Sequence, residues 1–163
     1  MKKLFKLLLV VLLAFSFVGC KGKEKEVDPY ADYDKFTIED LTFYVPKSQN
    51  AKKMDVDGYE YAVGNDDIVV FVQHVAIEDA KAQGYDIEAV KKSVFEGYTV
   101  EKVGNWETIK YDNTVDGVEY HYTYSWLQSD TNIWDFNIIC FKEDEAKFAP
   151  IMDDIITKAT LGK

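Results

Sequence analysis

Acid–base and nucleophilic side chains are few in this sequence and are spread along it. The two histidines, His74 and His121, lie in separate apolar segments, and neither belongs to an H-x-x-x-H or acid-rich ligand motif. Ser125 and Ser129 are not part of a G-x-S-x-G elbow, the usual setting of a nucleophilic serine. We therefore predict no catalytic residue, no metal site and no cofactor, and we expect both histidines to be hydrogen-bonded or to face solvent.

Two acidic stretches have part of the pattern of a calcium-binding loop. The stretch DVDGYE (55–60) places its glycine fourth, whereas an EF-type loop needs it sixth. The stretch DNTVDGVEYHYT (112–123) has glycine sixth but ends in threonine, where a bidentate glutamate is required. Both stretches are therefore predicted to be turns and not cation sites.

Aromatic residues form the most informative chemical pattern. Four of them alternate along VEYHYTYSWLQ and would lie on one face of a strand: Tyr120, Tyr122, Tyr124 and Trp126. The next apolar segment, NIWDFNI, adds Trp134 and Phe136, and we expect all six rings on one sheet face. Such a face either packs under a helix, or stays partly uncovered as a platform for a peptide, a glycan or an apolar ligand.

Sequence patterns typical of β-strands surround these aromatic residues and place them in a sheet. FTIEDLTFYVP predicts two short strands around Glu39-Asp40, and YEYAV with DIVVFVQHV predicts a hairpin across Gly64-Asn65-Asp66, where glycine and asparagine would supply positive φ. The second hairpin strand is apolar on both faces, which predicts cover on both sides. NWETIKYDN, VEYHYTYSWLQ and NIWDFNIICFK predict a three-stranded meander with Asp116-Gly117 in its first turn.

Two helices are predicted beside the strands. Asp86 is a candidate N-cap for a helix over residues 87–96, which Gly97 would end. A second helix is expected to begin near Pro150, because proline is tolerated at the first helical position. The sequence therefore predicts an α+β domain with a mainly antiparallel sheet flanked by helices.

The order of these elements resembles the PsbP-like fold. The resemblance rests on paired strands ending in FYVPKS, a central hairpin, one amphipathic helix, a meander with DG in its turn, and the closing segment FAPIMDDIITKA. Known members of this fold are mostly binding or assembly modules, so the resemblance implies an interaction role. The resemblance implies no metal site and no photosynthetic role for this chain, since fold alone does not determine function.

The start of the chain has the pattern of an export signal. Three lysines precede a short apolar core, and the core ends in FVGC, which resembles the lipobox of bacterial lipoproteins. We expect a signal peptide at 1–19, a lipidated Cys20 at the start of a disordered tether over 20–34, and a single domain at 35–163. With Cys20 lipidated, Cys140 has no disulfide partner, and its apolar neighbours predict a buried, unreactive thiol.

The charge balance narrows the range of partners. The chain has a formal net charge of −10, and removal of the leader lysines makes it more acidic. Such a surface repels nucleic acid and anionic lipid, so we predict no nucleic-acid partner. The chain also contains no arginine, which excludes bidentate guanidinium clamps for carboxylate or phosphate.

Together these features predict a lipoprotein at the extracytoplasmic face of the cell membrane. Its membrane contact would be the lipid on Cys20, and its domain would bind another envelope protein or a small ligand without catalysis. One alternative is a cell-envelope hydrolase, which requires His121, Ser125 and an aspartate to converge in a cleft. The other is a purely structural surface lipoprotein, which requires neither a cleft nor an exposed aromatic strip.

Overall fold

The computed structural model describes residues 28–162. The predicted signal peptide, the lipidation site Cys20 and the first part of the predicted tether lie outside the described residues. The folded unit begins at Asp32, and its first strand begins at Tyr33, two residues before the predicted domain start at Lys35. The Tyr33 hydroxyl donates a hydrogen bond of 2.7 Å to Asp154, which ties this early start to the last helix.

Ten strands and three α-helices are found within residues 28–162. In chain order the strands are β1 (Tyr33–Ile38), β2 (Leu41–Pro46), β3 (Lys52–Met54), β4 (Tyr61–Gly64), β5 (Ile68–Ala76), β6 (Glu101–Val103), β7 (Trp106–Val115), β8 (Val118–Gln128), β9 (Asn132–Phe141) and β10 (Thr160–Leu161). The helices are α1 (Ile77–Ala82), α2 (Ile87–Phe95) and α3 (Glu145–Lys158).

The strands form two antiparallel sheets. The small sheet has the order β1-β2-β10, and the large sheet has the order β3-β4-β5-β9-β8-β7-β6. Every pairing between neighbouring strands is antiparallel. The predicted fold class, α+β with a mainly antiparallel sheet flanked by helices, is therefore confirmed.

The predicted hairpins are present, although one glycine has a different role. The β7–β8 turn places Asp116 at φ 52° and Gly117 at φ 83°, as a tight Asp-Gly turn requires. Neither Gly64 nor Asn65 has the positive φ predicted for the β4–β5 turn. The Asn65 side chain instead accepts hydrogen bonds from the backbone N–H groups of Asp67 and Ile68. Gly64 is needed for space, because a Cβ atom there would lie 2.3 Å from the carbonyl oxygen of Ile68.

The helix starting at Asp86 agrees with the prediction. The Asp86 carboxylate accepts hydrogen bonds from the backbone N–H groups of Glu88 and Ala89 at 3.1 and 3.2 Å. Helix α2 therefore begins at Ile87, and Gly97 follows it at φ 84°. Helix α1 has no counterpart among the predicted elements.

The start predicted for the last helix is wrong. Helix α3 begins at Glu145, and Pro150 lies inside it. A proline there removes one backbone hydrogen bond, but the earlier start buries Phe148 completely, on the same side as Met152 and Ile155. Burial of a whole phenylalanine side chain contributes about 1.5 to 3 kcal/mol, which offsets the lost bond.

The main hydrophobic core lies between the large sheet on one side and α3 and the small sheet on the other. As predicted, Leu41, Phe43 and Val45 of β2 all point into it, and each is at most 1% exposed. Phe43 packs edge-on against Phe136 of β9 at 5.2 Å, and Phe136 packs likewise against Trp106 of β7 at 4.8 Å. Interlocking aromatic rings therefore join the two sheets.

The helices of the described residues are too short or too polar to cross a bilayer. Helix α3, the longest of them, has only fourteen residues.

Candidate functional site

The six aromatic residues predicted to share one sheet face lie on two opposite faces. In the β8–β9 pair, Trp126 lies opposite Asp135 and Ser125 lies opposite Phe136. The last paired residues are Gln128 and Ile133, and four residues connect them. As a result, even-numbered positions of β8 lie opposite odd-numbered positions of β9. This register puts Trp134 and Phe136 on the other side of the sheet, so the single-face prediction is wrong.

We call the two sides of the large sheet the core face and the outer face. The core face carries Trp134 and Phe136, which are fully buried against α3 and the small sheet. The outer face carries the four predicted residues of β8, namely Tyr120, Tyr122, Tyr124 and Trp126. Two of the six candidates are therefore core residues, and the other four remain available for a site.

Helices α1 and α2 cover only one end of the outer face. Phe95 of α2 packs edge-on against Tyr124 and Trp126, with each pair of ring centroids 6.4 Å apart. The backbone N–H of Ile77 donates to the Thr131 carbonyl at 2.8 Å, which fixes the start of α1 beside the β8–β9 turn. These contacts hold the helices over the sheet end but leave space beneath them.

That space, which we call the helical pocket, has a volume of about 440 Å³. Aliphatic residues make up more than half of its wall: Val75, Ala80, Ile87, Val90, Val94 and Ile133. The other lining residues carry polar groups: Gln83, Tyr85, Tyr124, Trp126 and Asp135. A volume of this size with mostly apolar walls and a few polar groups is typical of a small-molecule site.

Asp135 is the charged residue of the helical pocket. Its carboxylate has no hydrogen-bond or ion-pair partner among residues 28–162, and burial raises its pKa to about 7. The pKa of the neighbouring Tyr124 hydroxyl is raised by burial and, to a smaller extent, by the Asp135 charge. Trp126 is 5% exposed, and its Nε1–H also lacks an acceptor within the described part of the chain. Unpaired polar groups in such a setting are costly, which makes the pocket a candidate binding site.

The rim of the helical pocket is apolar. Tyr85 is 57% exposed and Val75 is 47% exposed, although both belong to the pocket lining. Val90 of α2 adds a third exposed apolar side chain. Exposed apolar groups around a concave site are a common mark of a binding surface.

The rest of the outer face is open and aromatic. Tyr122 stacks on Tyr111 of β7 with centroids 5.0 Å apart, and Tyr120 stacks on Phe141 of β9 at 5.5 Å. A shallow depression of about 270 Å³ lies beside Tyr120, Tyr122 and Phe71. Ring stacking within the sheet accounts for these side chains, and no unpaired buried polar atom is found in this depression within residues 28–162.

His74 is hydrogen-bonded, as predicted. Its Nδ1 lies 2.8 Å from Glu60 and its Nε2 lies 3.1 Å from Glu39, while the ring stacks on Trp134 at 4.6 Å. The three side chains could hold a cation, since their ligand atoms lie within 4.8 Å of one another. Both ring nitrogens already have a carboxylate partner, however, so the geometry needs no ion.

His121 is also hydrogen-bonded, and it lies in a second group of carboxylates. Its Nδ1 is 2.9 Å from Asp112 and 3.7 Å from Glu145. The Lys142 ammonium contacts both carboxylates, and its hydrogen bond, more than that of His121, lowers the pKa of Asp112. The lysine thus supplies a positive charge to both carboxylates of this group.

The residues required for the hydrolase alternative do not converge. The Ser125 hydroxyl shares a 2.8 Å hydrogen bond with Thr108 and is completely buried, whereas His121 bonds to Asp112 further along the strand. Cys140 is 2% exposed, and burial raises the pKa of its thiol to about 11, which fits the predicted buried thiol. The helical pocket therefore remains the candidate functional site within residues 28–162.

Sequence reasoning missed Asp135 and all of α1. Asp135 interrupts the apolar run NIWDFNII, and a single acid within an apolar strand segment is the signal that could have found it. Ala80, the lining residue from α1, gave no such signal, because a helix of six residues shows less than two turns of periodicity.

Comparison with known proteins gives similarity at the level of the fold. No family model matches the chain, and no curated protein matches it. Among solved structures, the chain is similar to a protein from Bacteroides thetaiotaomicron VPI-5482, with a TM-score of 0.59 at 13% identity. The match covers 81% of this chain and 49% of that one, so the chain spans about half the length of the Bacteroides protein.

Two more distant similarities cover most of both chains. Cyanobacterial PsbP (CyanoP) from Synechocystis sp. PCC 6803 matches with a TM-score of 0.46 at 12% identity, over 88% of this chain and 97% of that one. LpqN, involved in cell envelope biogenesis of Mycobacterium tuberculosis, matches with a TM-score of 0.38 at 12% identity, over 85% and 88%. The similar structures thus include a PsbP protein, as the resemblance implied, and at these scores they carry no conclusion about function.

Proposed function

We propose that the domain is a binding module and that its helical pocket takes a small, mainly apolar ligand without catalysing a reaction on it. The observation that supports this proposal is the apolar cavity of about 440 Å³ beneath α1 and α2, with Tyr124, Trp126 and Asp135 among its lining. An apolar concavity that side chains leave unfilled forgoes packing contacts and contributes nothing to stability. A cavity that is retained together with unpaired polar groups is best explained by a ligand.

The aromatic residues have separate roles in this proposal. Tyr124 and Trp126 contact the ligand, since both line the pocket and their rings offer apolar area with a polar tip. Tyr120 and Tyr122 extend the outer face beyond the pocket, where a larger ligand or a partner protein would contact them. Trp134 and Phe136 do not take part, because both are fully buried in the core.

A neutral apolar fluorophore tests the pocket directly. We expect N-phenyl-1-naphthylamine to bind the purified domain saturably with one molecule per chain. The change Ala80→Trp should abolish this binding, because Ala80 is a buried lining residue and the larger side chain fills the cavity. Ala82→Trp is the matched control, since Ala82 is exposed on the same helix and should leave binding unchanged.

Circular dichroism establishes whether each variant is folded. Binding that is equal in folded Ala80→Trp and Ala82→Trp would refute the pocket as the site. Absence of saturable binding to the unmodified domain would refute an apolar ligand altogether.

We further propose that the domain acts at the extracytoplasmic face of a membrane, anchored by lipid on Cys20. The support is the sequence FVGC after a short apolar run with three preceding lysines. The change Cys20→Ala in the full chain should move the protein from the membrane fraction to the soluble extracytoplasmic fraction. A membrane fraction unchanged by this substitution would refute the anchor, while the pocket proposal would stand.

A further inference from the structure

One charge is left without a counter-charge in the helical pocket. Among the pocket residues that the structure describes, Asp135 is charged, while no lysine or histidine belongs to the lining. Removing a carboxylate from water is unfavourable unless a cation or hydrogen-bond donors replace the water. No side chain of residues 28–162 provides either to Asp135, and its pKa of about 7 reflects this lack of compensation.

The aromatic rings around Asp135 favour the same kind of partner. Tyr85, Tyr124 and Trp126 all line the pocket with the carboxylate. Ring faces attract ammonium groups through the ring quadrupole, and tryptophan and tyrosine are the strongest in this respect. A carboxylate beside several such rings is a chemical setting suited to an organic cation.

Other ligand classes fit this setting less well. An anion would meet the Asp135 carboxylate and the negative field of a chain with net charge −10. A divalent metal ion prefers several carboxylate or imidazole ligands, whereas the lining offers one carboxylate, and its other side-chain oxygens belong to the neutral groups of Gln83, Tyr85 and Tyr124. A purely neutral apolar molecule would fill the space but would leave the carboxylate unpaired.

We propose that the ligand of the helical pocket is an organic cation, an ammonium group joined to an apolar body, and that Asp135 is its counter-charge. This inference rests on the proposed binding function and assigns a chemical class to the ligand. The ammonium group lies against Asp135 and the aromatic rings, and the apolar body contacts the aliphatic side chains from α1, α2 and Ile133. The acidic surface of the domain concentrates such cations near the rim of the pocket.

Two probes of nearly equal shape separate charge from apolar fit. Benzyltrimethylammonium carries a quaternary nitrogen where neopentylbenzene carries a quaternary carbon. Titration calorimetry at pH 8 should show that the unmodified domain binds the cation at least tenfold more tightly than the neutral probe. Asp135→Asn, which keeps the side-chain shape and removes the charge, should reverse this preference and still bind neopentylbenzene.

Asp79→Asn is the matched control for general electrostatic attraction. Asp79 is an exposed carboxylate of α1 outside the pocket lining, so its loss should leave the tenfold preference in place. The cation assignment would be overturned if the unmodified domain bound both probes with equal affinity. It would also be overturned if Asp135→Asn kept the same preference for the cationic probe as the unmodified domain. Either result would leave the apolar pocket proposal in place. Failure of both probes to bind would overturn the assignment together with the proposed function.

Discussion

The two faces of the large sheet use similar residues for different purposes. On the core face, Trp134 and Phe136 have 0% exposure, and rings from both sheets interlock around them. On the outer face, Trp126 is almost as deeply buried, but it lies beside a cavity and an unpaired carboxylate. The same residue type is therefore a packing element on one face and part of a candidate binding site on the other.

The difference follows from what covers each face. Helix α3 has fourteen residues and, with the small sheet, packs on the core face along the main hydrophobic core. Helices α1 and α2 have six and nine residues and cover one end of the outer face only. Short helices cannot fill the space over a long sheet, so stability is concentrated on the core face and the candidate binding site lies on the outer face.

The largest effect should come from truncation on the core face. Phe136→Ala should lower the free energy of unfolding by about 3 to 5 kcal/mol, because the change leaves a cavity among Phe43, Trp106 and the strands. Urea denaturation at pH 7 measures this loss. A loss below about 1 kcal/mol would contradict the assignment of stability to the core face.

On the outer face, removal of the Asp135 charge should have the opposite effect and raise the free energy of unfolding. Its pKa is raised from about 3.9 in the unfolded chain to about 7 in the folded domain. The folded state therefore holds a proton that the unfolded state releases, and the associated stability is lost as the pH rises from about 4 to about 7. Among the other pocket residues, burial raises the pKa of the Tyr124 hydroxyl above its ordinary value, so this group titrates above the window.

Asp135→Asn should therefore stabilise the ligand-free domain at pH 8 and leave its stability at pH 4 nearly unchanged. The expected gain at pH 8 is about 2 to 4 kcal/mol, from the pKa difference of about three units. Urea denaturation of the variant and the unmodified domain at both pH values measures it. An equal effect of the substitution at pH 4 and pH 8 would show that the Asp135 charge is not desolvated.

The smallest effect is expected in the open part of the outer face. Tyr122→Ala should lower the free energy of unfolding by about 1 kcal/mol, because it removes stacking on Tyr111 but opens no closed cavity. Urea denaturation of this variant beside Phe136→Ala gives the ratio of the two losses in the free energy of unfolding. Losses of similar size for the two substitutions would mean that both faces stabilise the domain equally.

Local patterns in the sequence predicted most of the fold. The Asp86 cap and the Asp116-Gly117 turn depend on residues close in sequence, and both were correct. The start of α3 was not, because the tertiary burial of Phe148 outweighs the local signal of Pro150.

The candidate site was only partly predictable for a related reason. The alternation of Tyr120 to Trp126 correctly placed those residues on one face, since alternation is a property of a single strand. The length of the β8–β9 connection decides which residues of β9 lie on the same face, and this register cannot be read from either strand alone. Because of that register, Asp135 belongs to the candidate site, whereas Trp134 and Phe136 belong to the core.

Trp126 lines the helical pocket, whereas Trp106 and Trp134 lie in the core. The three indoles therefore allow one measurement to test whether a ligand binds on the outer face. We would record the indole N–H resonances of the ¹⁵N-labelled domain during a titration with benzyltrimethylammonium, after assigning them with single Trp→Phe variants. If the ligand binds in the helical pocket, the Trp126 resonance should shift saturably, and those of Trp106 and Trp134 should stay in place. A Trp126 resonance that does not move, or equal shifts of all three, would contradict a ligand site on the outer face.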